Sequence, residues 1–328
     1  MPKVFITRPI PDQGIKMLQE KGYEISIYPK DEIIPRPKLL EGVKGADALL
    51  SILTDRIDGE ALDAAGPQLK IVANYAVGFD NLDLEAAKAR HVLITNTPGP
   101  EITEAVAEHT FALMLTLARR IVESDTFARN GHYQGWGPQL LLGTDVYGKT
   151  LGIVGLGRIG FAVARRAVKG FDMKVIYHDV KPNPDFEKEF GGQYRALDEL
   201  LKESDFVSLH VPLLPSTRHL ISREQFGFMK PTAFLINTSR GPIVDETALL
   251  EALDQKKIAG AGLDVFECEP SLDCNPFDHL ELKTFPNVAL TPHTASATIE
   301  ARQAMSAAAA SNIIAALEGK PPPNLVKI

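Results

Sequence analysis

The order of apolar and polar positions along the chain predicts short buried strands that alternate with amphipathic helices. In the first hundred residues, short apolar runs predict strands at residues 4–6, 24–28, 48–53, 71–74 and 92–96. Apolar positions spaced as on one face of a helix lie between these runs. Strands that alternate with helices are typical of a parallel sheet covered on both faces, so we predict a flavodoxin-like domain here.

The same alternation returns in the second half of the chain. Predicted strands lie at residues 151–154, 173–178, 206–210, 233–237, 258–263 and 288–290, and an alanine-rich helix follows at 297–317. Between the halves, apolar side chains from Ile102 to Ile121 recur at helical spacing and indicate one long buried helix. Thr97–Pro100 precedes that helix, and because prolines beside a glycine interrupt regular structure, we predict a domain crossing there.

A glycine-rich turn follows the first strand of this second half. Gly155, Gly157 and Gly160 have G-x-G-x-x-G spacing between an apolar strand and a helical segment. The first glycine permits a tight turn, the second lets a pyrophosphate approach the backbone, and the third lets the helix pack closely on its strand. The first turn of the helix, with Arg158 and Ile159, would then hold the phosphates of a dinucleotide.

An acidic residue in the expected place supports the dinucleotide interpretation. A lone glycine motif also occurs in turns that bind no nucleotide, but here Asp179 follows the next predicted strand, nineteen residues after Gly160. Its carboxylate can accept hydrogen bonds from the ribose hydroxyls of NAD and would repel the additional phosphate of NADP. We therefore predict NAD as the cofactor.

Composition narrows the class of protein further. The 328 residues suggest about two domains, and a formal charge of −7 without a basic run argues against a nucleic-acid or anionic-membrane surface. Neither a signal pattern nor a long uncharged apolar run is found, so we expect a cytoplasmic protein. Cys268 and Cys274 are expected to be free thiols in a reducing compartment, although a bridge between them stays open.

Polar residues suited to chemistry follow the predicted strand ends, where open α/β sheets bind their ligands. These residues are Arg240, Asp264, Glu269 and His293. Each alone has a structural explanation, such as a solvated arginine or a turn cap. Their shared location downstream of a cofactor motif favours a catalytic role.

Five motifs occur in order along the chain. They are Asn74–Asn81, Gly148–Gly160, Asn237–Asp245, Gly262–Glu267 and Leu290–Ser296. Through them the chain resembles the D-isomer-specific 2-hydroxyacid dehydrogenases over its full length, and Asn74–Gly78 is most similar to the glyoxylate and hydroxypyruvate reductases of that family. The resemblance implies reduction of a small 2-oxo acid to the D-2-hydroxy acid with NADH.

The resemblance also implies an architecture. It predicts two Rossmann-like, doubly wound parallel-sheet domains with the active site in the cleft between them. Residues 1–99 plus 296–328 would form the substrate domain, and residues 100–295 would form the inserted NAD-binding domain. A homodimer built on the NAD-binding domains is expected, and we predict that Trp136, alone in a glycine-rich loop, packs against the dimer partner.

Residue roles carry over motif by motif. Arg240 is implied to bind the substrate carboxylate, Glu269 to be the carboxylate partner and His293 to be the acid/base. Asp264 is expected to orient the nicotinamide carboxamide or the Arg240 loop. Further cofactor contacts are implied at Val211, Pro212, Thr217 and Thr238, and further substrate contacts at Leu53, Val77 and Gly78.

Physical chemistry supports these roles. Reducing a 2-oxo acid requires a fixed cation for the carboxylate, a proton donor at the carbonyl oxygen and a hydride donor. Arg240 offers a fork that matches a carboxylate, backbone N–H groups at Val77 and Gly78 could grip its other side, and a neighbouring Glu269 would stabilise protonated His293. The family pattern differs at Thr294–Ala295, where many members have Ile-Gly.

Among other activities known on the same fold, two are disfavoured by single residues and two remain as alternatives. Related phosphite dehydrogenases have a lysine in place of Val77, and formate dehydrogenases a glutamine in place of Glu269, so neither activity is favoured. A 3-phosphoglycerate dehydrogenase and an NAD-sensing corepressor remain as alternatives. Neither a regulatory domain nor long disordered tails are evident in the sequence.

Overall fold

The computed structural model describes residues 1–269 and 281–327. The chain divides into two compact units, Met1–Ile102 with Ala297–Ile328, and Thr103–Ser296. The sequence places the first border before residue 100, at the start of a helix, whereas the structural border falls within that helix's first turn.

The first unit contains a parallel sheet of five strands in the order β2-β1-β3-β4-β5. The strands are β1 Lys3–Ile6, β2 Glu24–Ile27, β3 Ala48–Ile52, β4 Ile71–Tyr75 and β5 Leu93–Thr95. The helices are α1 Asp12–Glu20, α2 Arg36–Gly42, α3 Gly59–Ala65, α4 Leu84–Ala89 and α12 Ile299–Leu317. This strand order is that of flavodoxin-like folds, with the switch point between β1 and β3.

The second unit contains a parallel sheet of seven strands in the order β12-β11-β10-β9-β6-β7-β8. The strands are β6 Thr150–Val154, β7 Lys174–His178, β8 Gln193–Tyr194, β9 Phe206–Leu209, β10 Phe234–Asn237, β11 Gly260–Leu263 and β12 Val288–Leu290. Its order reverses between β6 and β9, and in such sheets ligands bind beyond the carboxyl ends of the strands at this point. The predicted fold class of two doubly wound parallel-sheet domains is confirmed.

Helices cover both faces of the second sheet. They are α5 Pro100–Ala118, α6 Ile121–Arg129, α7 Arg158–Phe171, α8 Pro184–Phe190, α9 Leu197–Glu203, α10 Arg223–Phe228 and α11 Glu246–Asp254. One buried cluster joins α5 and α7 to the sheet, and another joins α9, α10 and α11 to its other face. Among the described residues, none of the helices is long and apolar enough to cross a membrane.

The long helix predicted through Ile121 is in fact two helices. Arg120 has a left-handed backbone, with φ of 53°, which ends α5 and redirects the chain into α6. Its guanidinium holds the turn by hydrogen bonding to Glu123 at 2.5 Å. The apolar periodicity could not show this break, because Ile121 continues the pattern although it is 51% exposed.

The expectation of free thiols is wrong for Cys268, which is disulfide-bonded. Cys274, the chain's other cysteine, lies outside the described residues. The expectation rested on the redox state of a compartment, whereas a disulfide also depends on local backbone geometry, which composition does not show.

Candidate active site

The glycine turn has the geometry that its sequence predicts. Gly155 follows β6 with φ of +95°, a conformation that suits glycine, and its N–H donates to the carbonyl of His178 at 2.8 Å. A Cβ at Gly155 would lie 2.7 Å from the carbonyl oxygen of His210. The turn therefore fits tightly between the ends of β7 and β9.

The N-terminus of α7 offers an anion site. Gly157 is the N-cap residue and no side chain caps the helix there. A Cβ built on Gly157 would meet no atom within 4 Å, so the backbone is open on that side. The N–H groups of Arg158 and Ile159 in this first turn can receive a pyrophosphate. Gly160 packs closely behind them, since its Cβ would lie 2.1 Å from the oxygen of Gly155.

Asp179 lies beside the same turn. One carboxylate oxygen accepts the N–H of Leu156 at 2.7 Å, and the other accepts the N–H of Val180 at 2.6 Å. These bonds fix the carboxylate where the adenosine ribose of a dinucleotide is expected. The open backbone of the glycine turn and this acidic group together fit NAD.

The ends of β9 and β10 form the remainder of the predicted cofactor site. Val211 and Pro212 follow β9, and Thr217 closes the next turn by donating to the carbonyl of Pro212 at 2.6 Å. Thr238 is buried after β10, with its hydroxyl 3.1 Å from that of Thr110 on α5. The predicted contacts of these residues with a cofactor stay predictions.

His210 at the end of β9 is a neutral histidine of this region. Burial lowers the pKa of His210 to about 3. Its Nε2 lies 2.8 Å from the hydroxyl of buried Ser208. A group held neutral by burial is a cost of folding at acidic pH rather than a proton donor at neutral pH.

Glu269 and His293 lie together as the sequence predicts. Nδ1 of the histidine is 2.6 Å from Oε2 of the glutamate, and the two side chains are 25% and 19% exposed, respectively. With an ionised glutamate, Nδ1 must carry the hydrogen, which leaves Nε2 as the nitrogen that can exchange a proton with a ligand. This is the arrangement expected for a general acid/base and its orienting carboxylate.

The backbone of His293 is constrained. Its φ is +54°, in the left-handed region that few non-glycine residues occupy. Its N–H donates to the carbonyls of Asp264 at 2.8 Å and Thr291 at 3.1 Å. A sparsely populated conformation held by surrounding bonds is typical of a functional site.

Asp264 holds this turn. The residue is completely buried, and its carboxylate accepts hydrogen bonds from the Thr291 hydroxyl at 2.6 Å and from the N–H groups of Thr294 and Ala295, each at 2.8 Å. The sequence suggested that Asp264 orients the nicotinamide or the Arg240 loop. The side-chain bonds of Asp264 fix the segment on both sides of His293, and the suggested role toward the cofactor or the Arg240 loop stays a prediction.

Asn237 organises the Arg240 loop. Its amide donates to the carbonyl of Arg240 at 2.9 Å, and its oxygen accepts from the N–H and hydroxyl of Ser239 at 3.0 and 2.8 Å. The guanidinium of Arg240 also donates to the carbonyl of Ser239 at 2.8 Å. Gly241 then contacts the segment leading to Glu269, because its Cβ would lie 1.8 Å from the carbonyl oxygen of Phe266.

From the sequence, no supporting role was assigned to Asn237, Thr291 or His109. The structure places Nε2 of His109, on α5, 2.9 Å from the hydroxyl of Thr291 and 3.5 Å from Oδ1 of Asp264. A polar residue at the end of an apolar strand was a usable signal for Asn237. Nothing in the local sequence connects His109 to a segment 182 residues away.

The predicted substrate residues of the first unit lie at the carboxyl edge of its sheet. Leu53 follows β3, and Val77 and Gly78 follow β4. The amide of Asn96 donates to the carbonyl of Val77 at 2.7 Å, and that of Asn74 donates to the carbonyl of Gly78 at 3.0 Å. The loop is thus fixed by side-chain bonds to its carbonyls.

Comparison with known proteins identifies the family. The family model described as D-isomer specific 2-hydroxyacid dehydrogenase, NAD binding domain, matches residues 111–295, more than half of the chain. The chain belongs to the D-isomer specific 2-hydroxyacid dehydrogenases. The predicted family is confirmed, and this dehydrogenase is an NAD-dependent enzyme.

The dehydrogenase is similar to relatives over its whole length. It is 52% identical over 329 aligned positions to the glyoxylate reductase of Thermococcus litoralis, covering 99% of this chain and 96% of that protein. A solved structure from Thermus thermophilus is 45% identical with a TM-score of 0.90, covering 99% of this chain and 100% of that one. A glyoxylate reductase structure from Paecilomyes thermophila is 32% identical with a TM-score of 0.86, covering 99% and 98%.

An exposed apolar surface follows α6 in the dehydrogenase. The exposed fractions are 85% for Trp136, 61% for Tyr133 and 64% for Leu142. Trp136 is thus largely exposed to solvent, and its contact with a dimer partner stays a prediction. Tyr133 and Leu142 line the same surface pocket, and contiguous exposed apolar side chains commonly mark an interface.

Proposed function

We propose that the protein reduces glyoxylate or hydroxypyruvate to the corresponding hydroxy acid with NADH, forming the D-isomer where the product is chiral. The observation that carries the proposal is the His293–Glu269 pair at 2.6 Å, at the same edge of the sheet as the glycine turn. The names of the similar proteins from Thermococcus litoralis and Paecilomyes thermophila support glyoxylate as the substrate.

His293 is the proposed proton donor. When bound, NADH supplies the hydride. Protonated Nε2 of His293 donates to the substrate's carbonyl oxygen as negative charge develops there, while Nδ1 stays bonded to Glu269. The glutamate's negative charge stabilises the doubly protonated ring before transfer, and its hydrogen bond keeps Nε2 directed at the substrate.

Arg240 is the proposed carboxylate ligand. A guanidinium can bind both oxygens of a carboxylate through parallel hydrogen bonds, and it remains charged at any working pH. The Asn237 bonds that fix the Arg240 backbone limit how far this group can move. We propose that Leu53 and the N–H groups of Val77 and Gly78 complete the substrate contacts.

The test is an assay of NADH oxidation with a panel of 2-oxo acids. We expect the highest kcat/KM with glyoxylate or hydroxypyruvate, and loss of about 10²–10⁴-fold in kcat for His293→Ala with NADH binding retained. A strong preference for 3-phosphohydroxypyruvate would instead favour a 3-phosphoglycerate dehydrogenase. Binding of NADH without turnover of any 2-oxo acid would favour the corepressor alternative.

We also propose that the protein is a homodimer and that Trp136 packs on the partner. Removing the ring in Trp136→Ala should weaken association or alter the substrate profile, as measured by sedimentation and by the same panel. Ile299→Ala is a matched control, since Ile299 is 73% exposed but lies in the first unit. If Trp136→Ala behaves like this control in both measurements, the ring has no interface role.

A further inference from the structure

A chain of three polar side chains lies behind the turn that carries His293. His109 comes from α5, Thr291 follows β12, and Asp264 follows β11. Nε2 of His109 is 2.9 Å from the hydroxyl oxygen of Thr291, which is itself 2.6 Å from Oδ1 of Asp264. None of the catalytic steps proposed above uses His109.

Counting the available hydrogens shows which group donates and which accepts in each of these hydrogen bonds. The Asp264 carboxylate accepts from Thr291, Thr294 and Ala295, a set of donors that suits an ionised carboxylate. The single hydrogen of the Thr291 hydroxyl is therefore directed at Asp264. The contact between His109 and Thr291 then requires a hydrogen on Nε2 of the histidine, because the threonine oxygen can act there only as the acceptor.

The burial of Asp264 makes these donors important. Its side chain is completely buried, and a buried carboxylate is costly unless hydrogen bonds or positive charge compensate it. His109 orients one of these donors, the Thr291 hydroxyl, and lies 3.5 Å from the carboxylate itself. Loss of the His109 donor would free the Thr291 hydroxyl to rotate away from Asp264.

The same carboxylate fixes both sides of His293. Thr291 is two residues before the histidine, and Ala295 is two residues after it. The carbonyl of Asp264 also accepts the N–H of His293 at 2.8 Å. Since the backbone of His293 is held in a sparsely populated conformation, a change in these bonds should move its ring relative to a substrate.

We propose that His109 is a positioning residue for the acid/base. It acts through Thr291 and Asp264 on the turn of His293, with Nε2 protonated and directed at the threonine oxygen. The inference rests on the proposed function, because it assigns His109 a role in the 2-oxo acid reduction attributed to His293.

Kinetic variants test the positioning role. His109→Leu replaces the N–H donor with an apolar side chain, whereas His109→Gln keeps an N–H donor. At Thr291, Thr291→Val removes the hydroxyl and Thr291→Ser keeps it. In His109→Leu and Thr291→Val we expect kcat to fall by about tenfold or more, while the KM for glyoxylate and the Kd for NADH change by less than about threefold. His109→Gln and Thr291→Ser should keep most of the wild-type kcat.

The controls separate positioning from stability. Ser204→Ala removes a buried hydroxyl that donates to Leu200 near the opposite end of the sheet, and it should lower Tm without changing kcat. The double variant His109→Leu/Thr291→Val should be no worse than the poorer single variant, because both remove one connection. Unchanged kcat in His109→Leu, or no recovery in His109→Gln, would overturn the proposal. Should His109→Leu fail to fold, the Thr291 pair decides by the same criteria.

A spectroscopic measurement tests the network without turnover. In protein with ¹⁵N-labelled histidine, the nitrogen shifts of His109 should show hydrogen on Nε2, and Thr291→Val should change the shifts of both His109 and His293. An unprotonated Nε2, or His293 shifts unaffected by Thr291→Val, would refute the network. Wild-type protein that binds NADH but reduces no 2-oxo acid would refute the proposed function instead, and the role of His109 in catalysis with it.

Discussion

Replacing Gly241 with alanine should displace two parts of the active site at once. Gly241 follows Arg240 directly, and the added Cβ would lie 1.8 Å from the carbonyl oxygen of Phe266 and 2.5 Å from the nitrogen of Glu267. Both atoms belong to the backbone and cannot rotate away. Since carbon and oxygen usually approach no closer than about 3.3 Å, the Arg240 loop and the segment leading to Glu269 must separate by about 1.5 Å.

The size of this shift sets the expected loss. A displacement of about 1 Å in a catalytic arrangement can cost about 10²-fold in rate, so Gly241→Ala should lower kcat/KM by about that factor or more. Overpacking of this kind also lowers the free energy of unfolding by about 1–3 kcal/mol. The stability loss alone does not change the activity of molecules that remain folded.

Gly260→Ala provides the matched control. Its Cβ would lie 2.2 Å from the carbonyl oxygen of Asn287, so the clash is also with backbone, but Gly260 begins β11 whereas Asp264 follows the other end of that strand. Both variants should unfold at lower denaturant concentration. Only Gly241→Ala should lose kcat/KM in glyoxylate-dependent NADH oxidation at a temperature where both are folded. Equal kinetic parameters for the two variants would refute the reasoning.

Three further predictions concern charge. Arg240→Lys should raise the KM for glyoxylate more than it lowers kcat, because a point charge cannot reproduce a bidentate contact; equal effects would contradict this. Wild type should prefer NADH, and Asp179→Ala should weaken that preference through cofactor Kd; a wild type that prefers NADPH would contradict it. The pKa of His210 is about 3 in the folded protein and about 6.5 in the unfolded chain. The free energy of unfolding should therefore fall by up to about 1.4 kcal/mol per pH unit below pH 6.5, and this fall should be less steep in His210→Gln. Identical acid-unfolding curves for the wild type and the variant would refute the prediction.

Much of the fold could be predicted because the strands are short apolar runs with their own turn signals. Lys174–His178 and Val288–Leu290, for example, lie within or at the predicted bounds. The helix Pro184–Phe190 was missed, because its burial depends on long-range partners: Phe186 packs edge-on against Tyr177 and Phe161. No local pattern identifies those neighbours in advance.

In the candidate site, too, some features could be predicted from the sequence and others could not. Glu269 and His293 could be predicted to meet, because both follow strand ends at one edge of a parallel sheet. The bonds of Asp264 to Thr294 and Ala295 depend instead on how one loop folds over another. Motif spacing gives a residue's neighbourhood but not which donors its oxygens receive.

The discontinuous first unit has a consequence for folding during synthesis. Helix α12 packs on the N-terminal part of the first unit through hydrogen bonds. The N–H of Gly14 donates to the hydroxyl of Ser306, the hydroxyl of Tyr75 donates to the carbonyl of Arg302, and the amide of Asn312 donates to the carbonyl of Asn96. These contacts are unavailable until the ribosome has made residues beyond 296. The continuous segment Thr103–Ser296 can fold first. Its folding shortens the loop that must close before the N-terminal and C-terminal parts of the first unit can meet. A nascent chain stalled before α12 should therefore expose the surface of β4 and α1 that this helix covers, and should bind chaperones more strongly than the released protein.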